Sequence, residues 1–128
     1  MEPSYYLDEL AKKVIGSAIE VHRNLGPGYL ESVYENSLAI EFTKRNIQYR
    51  RQSEVQVNYK GENVGQGRLD FLIENQLIVE LKTTEKLLPI HKAQVISYLK
   101  ATGINLGLLV NFNIPVLKYG IQRVIYTN

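Results

Sequence analysis

Apolar residues recur along the chain in two patterns, one with the period of a helix and one with the period of a strand. Leu7, Leu10, Val14, Ala18, Val21 and Leu25 are spaced so that they share one helix face. Ser4 stands where an N-cap is wanted and Gly26-Pro27-Gly28 where a helix must stop, so the pattern predicts a helix over Tyr5–Leu25. A second helix is predicted over residues 29–45, with Leu38 and Phe42 as its buried line and Tyr34 beside them. After a connector at 46–49, residues 54–59 alternate as a half-exposed strand, 60–63 turn, and 64–67 lead into a hairpin. Its two apolar runs, 68–73 and 77–82, are broken only by Glu74-Asn75-Gln76. Pro89 and Gly103 bracket a third helix over 89–102. Residues 104–112 form a near-continuous apolar run, as in a strand buried on both faces. A loop over 113–120 then leads to an edge strand at 121–126.

The order ααβββαββ predicts an α/β (α+β) fold, a mixed sheet flanked by helices. The third helix returns the chain to a strand beside the hairpin in the right-handed sense. A chain of 128 residues suits one domain, 1–128, with a single proper core.

The hairpin carries the chemistry. Alternation puts Leu69, Phe71 and Ile73 on one face, and likewise groups Leu77, Val79 and Leu81. One core for both sets fixes the register with Ile73 opposite Leu77, and therefore Asp70 opposite Glu80. Lys82 falls on the same face as Glu80. Facing residues have Cβ atoms about 4.5–5.5 Å apart, and like charges there are destabilising. A divalent cation with hard oxygen ligands would resolve the conflict, with Lys82 as a second positive charge beside it. A sheet edge at which Glu80 and Lys82 form a solvated ion pair would resolve it too.

Other polar positions admit two readings each. Glu31 lies on the buried line of the second helix, where an unpaired carboxylate is costly. It either points toward Asp70 and Glu80 or favours the positive end of the helix dipole, half exposed. His22 borders the apolar stripe of the first helix, as a packed histidine or a ligand. His91, Gln94 and Tyr98 cluster on one side of the third helix, either as surface residues or to orient a substrate phosphate or a catalytic lysine. Lys44, Arg45, Arg50 and Arg51 form a basic cluster, solvated or suited to a phosphate backbone.

Composition narrows the classes. The chain has no cysteine, which excludes thiolate zinc sites, disulfides and cysteine nucleophiles and fits a cytoplasmic protein. The first six residues lack a signal-peptide pattern, and no apolar run approaches the ~20 residues of a membrane span. A net charge of +2 is too small to announce nucleic-acid binding by itself.

Asp70 followed by Glu80-Leu81-Lys82 on adjacent strands, within this element order, resembles the PD-(D/E)XK nuclease superfamily with its restriction-endonuclease-like fold. Gly28-Tyr29-Leu30-Glu31-Ser32-Val33-Tyr34 further resembles the signature of the GxxExxY proteins within it. The Leu25 to Gly28 and Tyr59 to Glu62 turns, Gln94 to Tyr98, and Gly107 to Phe112 are also similar to that family. The resemblance spans roughly residues 22–124. It implies a Mg²⁺- or Mn²⁺-dependent nuclease acting on DNA more than RNA. Asp70, Glu80 and Glu31 would hold the metal, and Lys82 would position water or stabilise charge on the phosphate. Gln94 and Tyr98 match the Gln-x-x-x-Tyr helix motif of RecB-like exonucleases, and with Tyr34 and His22 would support the site. Leu69 departs from the motif's proline. The alternative is a non-catalytic module that keeps the fold to bind nucleic acid or protein. A domain this small makes a homodimer plausible.

Overall fold

The computed structural model describes residues 4–127. The outermost residues of the predicted domain, 1–3 and 128, lie outside the described residues, as does half of the segment used to exclude a signal peptide. No helix among the described residues is long and apolar enough to cross a membrane.

Helix α1 (Tyr5–Leu25) starts where its cap requires. The Ser4 hydroxyl accepts the Leu7 N–H at 3.1 Å, and the helix ends at Gly26 with φ 70°. Helix α2 (Glu31–Lys44) begins two residues later than the spacing predicts, which makes Glu31 its first residue. Helix α3 (Pro89–Thr102) has the predicted bounds, with Gly103 in the left-handed conformation at φ 75°. The His91 ring accepts the Leu88 N–H at 2.9 Å, so this histidine caps the first turn of α3.

Five strands form one sheet in chain order: β1 (Tyr49–Tyr59), β2 (Glu62–Ile73), β3 (Leu77–Lys82), β4 (Leu106–Asn111) and β5 (Ile121–Ile125). All neighbours are antiparallel except β3 and β4, which α3 joins as a parallel pair. The mixed, helix-flanked sheet is the architecture expected from the pattern. A short 3₁₀ turn (Leu117–Gly120) occupies the predicted loop before β5. Strand β1 begins earlier than predicted, because Tyr49 to Ser53 lie on an edge strand whose exposed positions do not need apolar residues.

The sheet separates two cores. Leu10, Val14, Ala18, Tyr34, Leu38 and Phe42 of α1 and α2 pack on Phe71, Ile73, Val79, Leu81, Leu108 and Val110. On the other side, Val95 and Leu99 of α3 pack on Val55, Leu69, Ile78, Leu109 and Val124. Gly107 lets α3 approach, since a Cβ there would lie 2.7 Å from Val95 Cγ1. Leu69 therefore does not join Phe71 and Ile73 in one core, contrary to simple alternation. The β1–β2 pairing runs through Arg51↔Phe71 and resumes at Ser53↔Leu69, skipping Gln52 and Asp70, and Gln52 has φ 48°. The register is the same on both sides of this gap, so no residue is inserted there.

Candidate active site

The predicted hairpin register holds at its closed end, with Ile73↔Leu77, Leu72↔Ile78 and Phe71↔Val79 paired. Glu74 and Asn75 make the turn with φ of 49° and 58°. Asp70 and Glu80 come next, and there the backbone ladder stops. The Asp70 N–H donates to Glu80 Oε2 at 2.6 Å, and the Leu81 N–H donates to Asp70 Oδ2 at 2.8 Å. Two side-chain carboxylates thus take the place of backbone carbonyls, each satisfying an N–H of the opposite strand. The strands are held together while both acids stay aimed at the same spot.

This arrangement strains the charges. Glu80 is only 4% exposed. Burial, and then the neighbouring Asp70 charge, push its carboxyl up to about 8, against the pull of the Asp70 N–H and Lys82. Burial also raises Asp70, opposed by its bond from Leu81. Glu31, reaching in from the first turn of α2, is raised by burial and then by Asp70. The three predicted acids therefore lie within one electrostatic neighbourhood. Among the described residues, no three acidic or histidine side chains are gathered tightly enough to cage a metal by themselves. The donors still suit a hard cation. Mg²⁺ commonly takes one or two carboxylates and fills its octahedron with water and substrate oxygens.

Lys82 ends β3 and turns its ammonium to Gln94 Oε1 of α3, 3.3 Å away, while its charge still acts on Glu31, Asp70 and Glu80. Tyr98 is raised first by burial and next by Glu80, while the Arg68 N–H and Gln94 pull it back down. It packs over Gly67, where a Cβ would meet its ring at 2.6 Å. The structure thus brings Gln94 and Tyr98 to the carboxylates.

Tyr34 and His22 sit elsewhere. The Tyr34 hydroxyl donates to the Gly26 carbonyl at 2.6 Å and accepts the Tyr29 N–H at 3.2 Å, and its ring stacks on Phe112. It clips the loop that delivers Glu31. His22 Nε2 bonds the Ile114 carbonyl at 2.7 Å, which ties α1 to the chain after β4. Of the four basic residues, Lys44 and Arg51 line one cavity beside Tyr49. Arg45 pairs with Glu41 at 2.7 Å and Arg51 with Glu35 at 2.9 Å, whereas Lys44 and Arg50 are exposed.

Three residues that the sequence did not single out as site residues complete the surroundings. Glu35 lies one turn beyond Glu31, and its charge raises both Glu31 and Asp70. The i, i+4 spacing was the available signal. Gln52 reaches Glu35 and Asp70 from β1. Asn111, 2% exposed, accepts the N–H groups of Thr84 and Asn113 and donates to the Thr84 carbonyl. It pins the chain just after Lys82. A polar residue closing the apolar run at β4 was its trace in the sequence.

Comparison with known proteins agrees with this fold. No curated protein matches the chain. The crystal structure of SSO0001 superimposes with a TM-score of 0.54 at 15% identity, covering 98% of this chain and 79% of that one, a likeness of fold. The sequence pattern of the PD-(D/E)XK nuclease superfamily matches residues 8–124. With nearly the whole chain matched, and acids and lysine converging where β2 and β3 part, this protein belongs to the PD-(D/E)XK nuclease superfamily.

Proposed function

We propose that the protein is a metal-dependent nuclease that hydrolyses phosphodiesters of DNA in preference to RNA. The observation that carries the reading is the Asp70–Glu80 pair, buried together where strand pairing has been given up. Such a pair is costly for the fold alone, and a divalent cation relieves it. Asp70 and Glu80 would hold Mg²⁺ or Mn²⁺, with Glu31 adding negative charge from α2. Bound there, the cation supplies Lewis acidity toward a phosphate oxygen and lowers the pKa of water.

The remaining work falls to the chain's own groups. The Lys82 ammonium stabilises negative charge gathering on the phosphate, and Gln94 holds that ammonium in place. Tyr98 closes the α3 side of the site over Gly67. Exposed Lys44 and Arg50 are candidates for the phosphate backbone, while Arg45 and Arg51 must first leave their glutamates. Gly28, Glu31 and Tyr34 support a place among the GxxExxY proteins, since Tyr34 clips the loop that aims Glu31.

The test is cleavage of linear, circular and single-stranded DNA and of RNA by the purified chain and its Asp70→Asn and Lys82→Ala variants, with Mg²⁺, Mn²⁺ or EDTA. Metal-dependent cleavage that falls at least about 100-fold in both variants is expected. Equal activity in all three proteins, or equal DNA affinity with and without metal and no cleavage, would instead favour a binding module.

A further inference from the structure

We propose that Gln52 is a positioning residue for the Asp70 carboxylate and that Glu35 holds Gln52 in place. The proposal rests on the reading of Asp70 as part of a metal-dependent site. Two independent observations lead to it.

The first is in the backbone. Opposite Asp70, and only there within the central part of the β1–β2 ribbon, the pairing is skipped, and the residue facing the gap is a glutamine with φ 48°. A side chain with a Cβ adopts this conformation at a cost, and such residues concentrate at functional sites.

The second is what the unusual backbone achieves. The Gln52 amide donates to Glu35 Oε1 at 2.7 Å and makes a longer contact, 3.4 Å, to Asp70 Oδ1. An amide has two hydrogens and no charge, so it can bridge two carboxylates without neutralising either. Arg51 occupies the other Glu35 oxygen, Oε2, through Nε at 3.1 Å and Nη2 at 2.9 Å, which leaves Oε1 for Gln52. Asp70 is then held from both sides. Oδ2 takes the Leu81 N–H and Oδ1 faces Gln52, so the plane of the carboxylate is set before any cation arrives. Partners behind a metal-binding carboxylate typically fix its orientation in this way.

A bland role as a strand bend makes different demands. Asparagine and glycine both accept a left-handed backbone, but asparagine is a methylene too short to span Glu35 and Asp70, and glycine has no amide. The test uses the full-length Gln52→Asn, Gln52→Gly, Glu35→Gln and Glu35→Ala variants in two assays. In the metal-free protein, NMR follows the Leu81 N–H, which reports the Asp70 carboxylate directly. Mn²⁺ titration measures affinity. Both Gln52 variants and Glu35→Ala are expected to remain folded, with faster Leu81 amide exchange, unchanged β4 amides, and Mn²⁺ affinity reduced about 10-fold. Glu35→Gln keeps an acceptor for Gln52 and is expected to leave the Leu81 amide near wild type. An unaltered Leu81 amide in both Gln52 variants would overturn the proposal. Absence of Mn²⁺ binding by the wild-type protein would overturn the metal reading, and the Leu81 amide would still decide the role of Gln52.

Discussion

Strand β3 has two very different sides. Toward β4 it pairs without a break through six residues, from Leu77↔Leu106 to Lys82↔Asn111. Toward β2 it pairs over three, and beyond Phe71↔Val79 the ladder gives way to Asp70 and Glu80 reaching across. One strand therefore serves as a structural beam on one edge and as the floor of the proposed site on the other. The unbroken side supplies rigidity, so the open side can tolerate buried carboxylates and missing backbone bonds. On the proposed function, stability and chemistry are separated by the width of a strand.

The sharpest way to break this comparison is to alter each side in turn. Glu80→Gln keeps an acceptor for the Asp70 N–H while removing a charge, and should lower cleavage at least about 100-fold. The thermal midpoint of the metal-free variant should hold or rise at pH 8. Leu108→Ala, on the beam side and fully buried, should cost about 2–5 kcal/mol while leaving activity per folded molecule intact. A Glu80→Gln variant as destabilised as Leu108→Ala in denaturant melts would show that the two sides are not separable.

A smaller effect is expected at the seam. Asn111→Ala removes three bonds to Thr84 and Asn113, and should cost about 1–3 kcal/mol. Because those bonds secure the chain leaving Lys82, kcat should fall more than KM rises. A pure stability defect with unchanged kcat in steady-state assays would remove Asn111 from the account.

The gentlest probe is pH. Glu80 ionises near 4.5 in the unfolded chain and holds its proton to about 8 in the fold. Across that window the folded state binds more protons, so the metal-free protein should lose stability as pH rises, with Asp70 and Glu31 adding in the same direction. The loss is complete above about 8 and absent below about 4.5. Mg²⁺ competes with those protons, and its protection against melting should grow from pH 5 to pH 8. A midpoint in EDTA that is flat over this range would argue against the burial of Glu80.

What could be read from the chain follows from which forces are local. Helices α1 and α3 were legible to the residue because Ser4, Pro89, Gly26 and Gly103 act within a turn of themselves. The Asp70–Glu80 opposition followed from alternation and a three-residue turn, again short-range rules. The start of β1 was hidden because an edge strand can be as polar as a loop there. The left-handed backbone at Gln52 was hidden because glutamine does not advertise one. Neither could the sequence connect Glu35 to Gln52, since they meet only when α2 lies across β1.

The Tyr34 clip has a consequence for how the site comes into being. Its hydroxyl closes on Gly26, eight residues back, and on Tyr29, five back. Loops that short cost little chain entropy to close. The direction of Glu31 is therefore encoded by neighbours in the chain, whereas the meeting of Asp70 and Glu80 waits on the hairpin and the sheet beneath it. The stacking of Tyr34 on Phe112 joins that local clip to the end of β4.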